Sequence, residues 1–366
     1  MYKPPLLRAG VFITLLGALL LPAGTALAQM PEMLTLHPVP KLDQAPKLDG
    51  KLDDAAWKTA TEYNTFYFFF NWKPPKPAVP DTTFWIGYTD QGLYLAIANY
   101  RDDMENVRAN VTTRDDGGLW KDSSNEVYID STGTAISYRK FTVNSIGTKA
   151  DQFQLDAANR FNSWTKSTWK AKTSRDDKGW YIELFFPFDI LGDIPAPGET
   201  WRFAVTRFPH TIRAGHSASA PGAMYSKPQN FGWLYFLEDT DIKPAALGKA
   251  VAESVSRDWF LPYGDALLIR RGDEVEVSTM AAVLRQVRKN VQADVARTEE
   301  IMKDAGEKQK KKLASLRTKL DELPMKVDNA ARFSNVVGRM NRIRRDLEDM
   351  EYRRRLQRLF VEVHNQ

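Results

Sequence analysis

Trp120 and Glu126 stand six residues apart, and an aromatic ring followed at that interval by a carboxylate suits one kind of chemistry. A pyranose offers an apolar CH face and a rim of hydroxyls; an indole takes the face, and a carboxylate accepts hydrogen bonds from neighbouring hydroxyls. Trp120 follows the turn-forming run Asp115-Asp116-Gly117-Gly118, where a rigid scaffold can hold an exposed ring, and Glu126 opens a strand expected over 125–130. Lys140 gives Glu126 a second reading, as half of a carboxylate–lysine pair.

Other chemistries find less support in these 366 residues. With no cysteine there is no thiolate nucleophile, thiolate metal site, covalent haem attachment or disulfide framework. The histidines, at 37, 210, 216 and 364, form no His-x-x-x-His or His-Glu arrangement for a catalytic metal. There is no Gly-x-Ser-x-Gly elbow and no phosphate-binding glycine loop. The acidic pairs Asp102-Asp103 and Asp115-Asp116 lie in polar turns, where solvated carboxylates are the default, so two-carboxylate glycoside hydrolysis is poorly supported. The expectation is a binding protein, not an enzyme.

Strands must position Trp120 and Glu126. Nine of the ten tryptophans fall between Trp57 and Trp233, in a region dense in Gly, Pro, Asn and Asp turns and in short alternating runs. Thr83 to Tyr88 and Leu93 to Ala98 read as a hairpin, with Gly92 placed to supply a positive φ. Further strands are expected over 138–145, 150–155, 168–174, 179–187, 200–207 and 232–237, which makes residues 40–240 an antiparallel, jelly-roll-like β-sandwich. Trp57, Trp85, Trp180 and Trp201 read as core; Trp164 and Trp169 read as packed under a loop. The aromatic run Tyr67 to Phe70 reads as a buried strand entering a proline-rich loop, with Trp72 the alternative end of an aromatic platform.

The order of these pieces resembles the family 9 carbohydrate-binding modules. Pro46 to Trp57 carries a pattern of the Asp-Gly-x-x-Asp-x-x-Trp type; the strand pair around Trp85 and Tyr94 follows, then Trp120 to Asp130. Phe141-Thr142-Val143-Asn144 with Gly147 and Asp151, the strand 179–188 with Asp189-Ile190-Leu191-Gly192, and Phe231-Gly232-Trp233 complete the series. The resemblance implies a sandwich that binds mono-, oligo- or polysaccharide, with Trp120 stacking on the sugar and Glu126 binding its hydroxyls. It puts the second stacking ring at Tyr225. Two positions depart from the family's pattern: Lys140, expected with Trp120, Glu126 and Tyr225 among the carbohydrate-binding residues, stands where the best-known members carry an amide, and Pro221-Gly222-Ala223 lacks the hydrogen-bonding Asn. The resemblance also allows a structural calcium on loop oxygens, for which no acidic spacing here identifies ligands. Related sandwiches carry b-type haem, and for that alternative His210, His216 and Met224 are the candidate axial ligands, although both histidines fall in a Pro-, Gly- and Ser-rich loop.

The ends of the chain have a different grammar. Lys3 and Arg8, the apolar run Val11 to Leu21 and the small-residue site Ala26-Leu27-Ala28 read as a signal peptide over 1–28, so a secreted or periplasmic protein with no membrane span is expected. Residues 29–39 read as a linker and 241–274 as a connector. Over 275–366, stripes such as Met280-Leu284-Val287-Val291-Val295 and Phe333-Val336-Met340-Ile343-Leu347-Met350 describe amphipathic helices forming a hairpin or coiled coil. The last of these, about 50 Å long at 1.5 Å per residue, needs a partner for its stripe. That partner is either the preceding helix or a second subunit, and self-association through this tail is the basis of a third reading as an envelope scaffold. Of the formal charge of +5, residues 241–366 carry +6 and 29–240 carry −3. The positive charge is therefore not on the sandwich, and no nucleic-acid partner is expected.

Overall fold

A computed structural model describes residues 30–69, 75–101, 103–155, 159–162, 164, 166, 168–210, 215–240 and 242–364. The expected signal peptide and Trp72 lie outside the described residues.

In chain order the first strands are β1 (Leu36–Val39), β2 (Thr61–Tyr63), β3 (Tyr67–Phe68), β4 (Thr82–Thr89), β5 (Gly92–Tyr100), β6 (Ser124–Asp130) and β7 (Tyr138–Asn144). Then come β8 (Lys149–Gln154), β9 (Arg160–Phe161), β10 (Lys170–Arg175) and β11 (Gly179–Pro187), the short helix α1 (Phe188–Leu191), and β12 (Thr200–Phe208), β13 (Ser217–Ala218) and β14 (Gly232–Phe236). Among the described residues, one sheet runs β1-β14-β12-β6-β7-β8-β9 with β13 and β3 branching from β12, and the other runs β10-β11-β5-β4-β2. Their facing residues make the core: Leu93, Leu95 and Ile97 from β5, Val127 and Ile129 from β6, Phe203 and Val205 from β12, with Trp169, Trp180 and Trp201 fully buried among them. Burying each such large apolar side chain contributes roughly 1.5–3 kcal/mol.

The sandwich is mostly antiparallel, and each of its outer faces is covered in the region that matters. Over the five-stranded sheet, Leu42 and Trp57 pack on Tyr94 and Ala96. Gly50, at φ +91°, brings its segment so close that a Cβ would sit 2.7 Å from the Thr173 carbonyl. Gly92 is needed for a different reason from the one expected. It lies within β5 without a positive φ, and a Cβ there would meet the Phe186 carbonyl oxygen of β11 at 2.3 Å.

Two expected spacers are ordered elements. Residues 29–39 were expected as a linker, yet β1 runs parallel to β14, pairing Leu36 with Trp233 and Val39 with Phe236. Just before it, Leu34 donates to the Phe260 carbonyl and Phe260 donates to that of Glu32 (2.8 and 3.1 Å), so the segment staples the sandwich to the chain around Phe260. The connector over 241–274 is likewise structured, as α2 (Pro244–Ser254) packed on a three-stranded meander of β15 (Trp259–Tyr263), β16 (Ala266–Arg271) and β17 (Glu274–Ser278). Its two hairpins turn at Gly264-Asp265 and Gly272-Asp273, with both glycines at positive φ as tight hairpin turns require.

Beyond the meander stand α3 (Met280–Ile301), α4 (Glu307–Asp321) and α5 (Ala330–His364). Thr279 caps α3 by accepting from the Ala282 N–H. The apolar stripes meet within the chain: Leu284, Val291 and Val295, Leu313, Leu316 and Leu320, and Phe333 to Met350 form one core with Phe260 and Ile269 of the meander. The long α5 therefore finds partners in α3 and α4. Its start is tied to the sandwich by Arg332 with Asp81 (2.7 Å) and by the Ala330 N–H to Thr65 Oγ1 (3.2 Å). No helix among the described residues is long and apolar enough to cross a membrane.

His37 of β1 is fully buried, edge-on to Tyr63, Phe84 and Phe203, and neither ring nitrogen has a hydrogen-bond partner among the described residues. Burial pushes its pKa down to about 3. The folded state thus holds a neutral imidazole, a contribution present in full above pH 6.5 and lost as pH falls from there toward 3. Across that window the linkage amounts to about 4–5 kcal/mol at 1.36 kcal/mol per pH unit. We expect urea denaturation of His37→Leu to show a shallower fall in stability between pH 6.5 and 4 than the parent; equal slopes would rule this histidine out as the acid-sensitive group.

Candidate functional site

The outer face of β6, β7 and β8 carries Glu126 and Lys140, and the segment that bears Tyr225 lies over it. Along β6 the side chains alternate, Val127 and Ile129 entering the core while Glu126 and Tyr128 point outward; along β7, Phe141 and Val143 enter it while Tyr138 and Lys140 point outward. Register places Lys140 opposite Tyr128, one step from Glu126.

Trp120 sits just before β6 on a single 3-10 turn, Leu119–Lys121. Asp116 stabilises the approach by accepting the Gly118 N–H at 2.7 Å, and the buried Leu119 anchors the turn. The indole is left 46% exposed. Its ring neighbours among the described residues are His210, at 5.8 Å between centroids, and the Lys121 ammonium, 5.9 Å above the ring. His210 Nε2 also lies 2.6 Å from the Trp120 carbonyl oxygen.

Glu126 is placed differently from the open hydroxyl acceptor expected. It is 2% exposed, with Lys140 Nζ 2.5 Å from Oε1 and the Tyr128 hydroxyl donating to Oε2. The lysine pairing is therefore the reading of Glu126 and Lys140 that this structure adopts. The cause lies far off in sequence: Ala218, Ala220, Ala223 and Phe231, from the segment between β12 and β14, fold over Tyr128 and Tyr138. Phe231 stacks on Tyr128 at 5.0 Å and meets Tyr138 edge-on at 5.3 Å. Burial, and then the Glu126 charge, push both phenols above their ordinary pKa, so they stay protonated and donate.

Tyr225 belongs to the same cover. The Tyr138 hydroxyl is bonded to Gln154 and to the Tyr225 carbonyl, which leaves the Tyr225 ring 40% exposed with the Arg160 guanidinium 4.8 Å above it. Glu126, Lys140 and Tyr225 are thus gathered around one aromatic cluster, with Trp120 on the turn that leads into β6. Sequence reasoning passed over Tyr128, Tyr138 and Arg160; the alternation Glu126-x-Tyr128 and Tyr138-x-Lys140 was the signal for the first two.

The haem alternative placed ligands at His210, His216 and Met224. The two imidazoles lie in edge-to-face contact at 5.5 Å between centroids, and His216 also packs on Phe208 and Phe69. Met224 sits in a turn whose carbonyl accepts the Lys227 N–H. For calcium, Asp130 and Asp151 already receive N–H donors on both carboxylate oxygens from their own surroundings, whereas Asp122 receives them on Oδ2 alone. Among the described residues no group of three or more His, Asp or Glu side chains is arranged to hold a metal ion.

Because Glu126 is buried with one cation, removing that cation alone should be costly. Lys140→Met is expected to destabilise by about 3 kcal/mol in chemical denaturation, and the double variant Glu126→Gln/Lys140→Met to recover most of it. Additive losses would mean that the pair is not coupled.

No curated protein matches the chain. Among solved structures, a Bacteroides uniformis protein proposed to bind carbohydrate is 21% identical, covering 55% of this chain and 98% of its own, with a TM-score of 0.44. A family 9 carbohydrate-binding module from Caldicellulosiruptor kristjanssonii, solved in complex with cellotriose, is 16% identical (57% and 98% covered, TM-score 0.41). The same organism's family 9 module in complex with glucose is 15% identical (57% and 99% covered, TM-score 0.42). The family model described as carbohydrate family 9 binding domain-like matches residues 48–238, just over half the chain. With that match over the sandwich just described, this chain belongs to the carbohydrate family 9 binding domain-like family.

Proposed function

We propose that this is an exported, non-catalytic carbohydrate-binding protein that stacks a pyranose on Trp120, with Tyr225 as the second aromatic surface. The observation that carries this reading is the exposure of Trp120. The chain hides Trp57, Trp169, Trp180, Trp201 and Trp259 at 5% exposure or less, yet holds this indole out on the braced turn that leads into β6. A large apolar ring kept in water on rigid scaffold is the means by which a protein meets the CH face of a sugar. Membership of the family supports the saccharide.

On this reading the Glu126–Lys140 pair is the floor of the site. It fixes Tyr128, which packs against Tyr138 and Phe231, and Tyr138 in turn holds the Tyr225 carbonyl. Hydroxyl contacts fall to groups with free capacity at the rim, such as the half-buried Gln152 and the exposed Asn162, which are joined to each other at 2.7 Å. Export rests on the sequence of residues 1–28.

A broad glycan screen with sensitivity down to millimolar dissociation constants tests the reading first. A binder should emerge, and calorimetry with it should show at least a tenfold loss for Trp120→Ala and a several-fold loss for Tyr225→Ala, with unchanged melting temperatures. A screen without any binder, or a Trp120→Ala variant that binds as the parent does, would end this proposal.

A further inference from the structure

The exposed rings of this face share a property that a neutral sugar does not need, since each has a cation standing over it. The Arg160 guanidinium lies 4.8 Å from the centre of the Tyr225 ring, and the Lys121 ammonium 5.9 Å from that of Trp120. Both cations are exposed, and neither forms an ion pair among the described residues. By contrast, the one lysine of the face with a carboxylate beside it, Lys140, is joined to Glu126 at 2.5 Å. Arg160 and Lys121 are therefore without ion-pair partners among the described residues and the Glu126 carboxylate is already paired, while the exposed Asp116 carboxylate stands on the loop leading to Trp120.

A generally basic surface does not account for this, because residues 29–240 carry a formal charge of −3. Nor do the rings alone hold the cations firmly, since an exposed cation–π contact is worth only about 0.5–1 kcal/mol. A ligand anion can draw the guanidinium off the ring centre at small cost. It gains a charge-assisted, two-pronged hydrogen bond in return.

We infer that the site selects acidic saccharides, those carrying a carboxylate or sulfate, with Arg160 as the main anion-binding residue and Lys121 as the second. This rests on the reading that the Trp120 and Tyr225 face binds a sugar. A uronate has its carboxylate at the periphery of the pyranose ring. The CH face can then lie on an aromatic ring while the carboxylate reaches the cation beside it.

The test titrates the full-length mature protein with trimers of galacturonate, of sulfated galactose and of neutral galactose, at 50 and 500 mM NaCl. We expect at least one acidic trimer to bind tenfold or more tighter than the neutral one, and to weaken several-fold at the higher salt. Arg160→Gln should remove most of that preference and Arg160→Lys should retain part of it; the site is exposed, and melting curves check the fold. Polyaspartate should not compete at equal charge. Equal affinity for neutral and acidic trimers, an acidic affinity unmoved by Arg160→Gln, or full competition by polyaspartate overturns the inference and leaves sugar binding in place. If no saccharide binds, the proposed function itself falls.

Discussion

The buried carboxylate of Glu183 is the constraint on which the opening segment of the sandwich, Asp49 to Trp57, depends. It sits on the outer face of β11 and gathers three donors, the backbone N–H groups of Asp49 and Gly50 (2.8 and 2.7 Å) and the Trp57 indole (2.9 Å). Burial pushes its pKa up, and those donors work against the push. The Asp-Gly and Trp of the opening motif are thus explained by architecture: Gly50 lets the chain pass close over β10, and Trp57 seals that outer face. The motif that most resembles the family is a latch, remote in role from ligand contact.

A second buried charge joins the two sheets. Arg207 of β12 is fully buried, donating to the carbonyls of Asp81 and Tyr100 and to Thr82 Oγ1, while Asn99 and Asn125 exchange amide hydrogen bonds across the same gap. Burial draws the guanidinium down to about 9, still charged at neutral pH, so the surrounding oxygens must remain in place. Asp81 faces two ways: its carbonyl receives Arg207, and its carboxylate meets Arg332 of α5. The helical unit is therefore seated against the residues that lock the sandwich.

Much of this was legible in the sequence where one rule governed one stretch. The strands over 82–100 and 124–144 were readable because alternation and turn residues agreed, and the helices because their apolar spacing did. β1 was hidden because a run of four containing His37 and Pro38 alternates nothing visible when both of its faces are covered. The meander was hidden although Gly264-Asp265 and Gly272-Asp273 are ordinary hairpin signals, since its strands are short and stand next to helices. At the site, the turn before Trp120 was readable from local residues. The burial of Glu126 was not, because what covers it comes from near Ala220 and Phe231, about a hundred residues downstream.

The parallel pairing of β1 with β14 has a mechanical consequence. Once the backbone bonds of Glu32 and Leu34 with Phe260 have parted, tension between the amino-terminal end and the helical unit enters β1 at Leu36 and leaves β14 at Phe236, the opposite ends of two strands running side by side. Such a pull slides the strands lengthwise, so their hydrogen bonds bear the load together instead of opening one by one. A sandwich loaded in this way resists extension in shear.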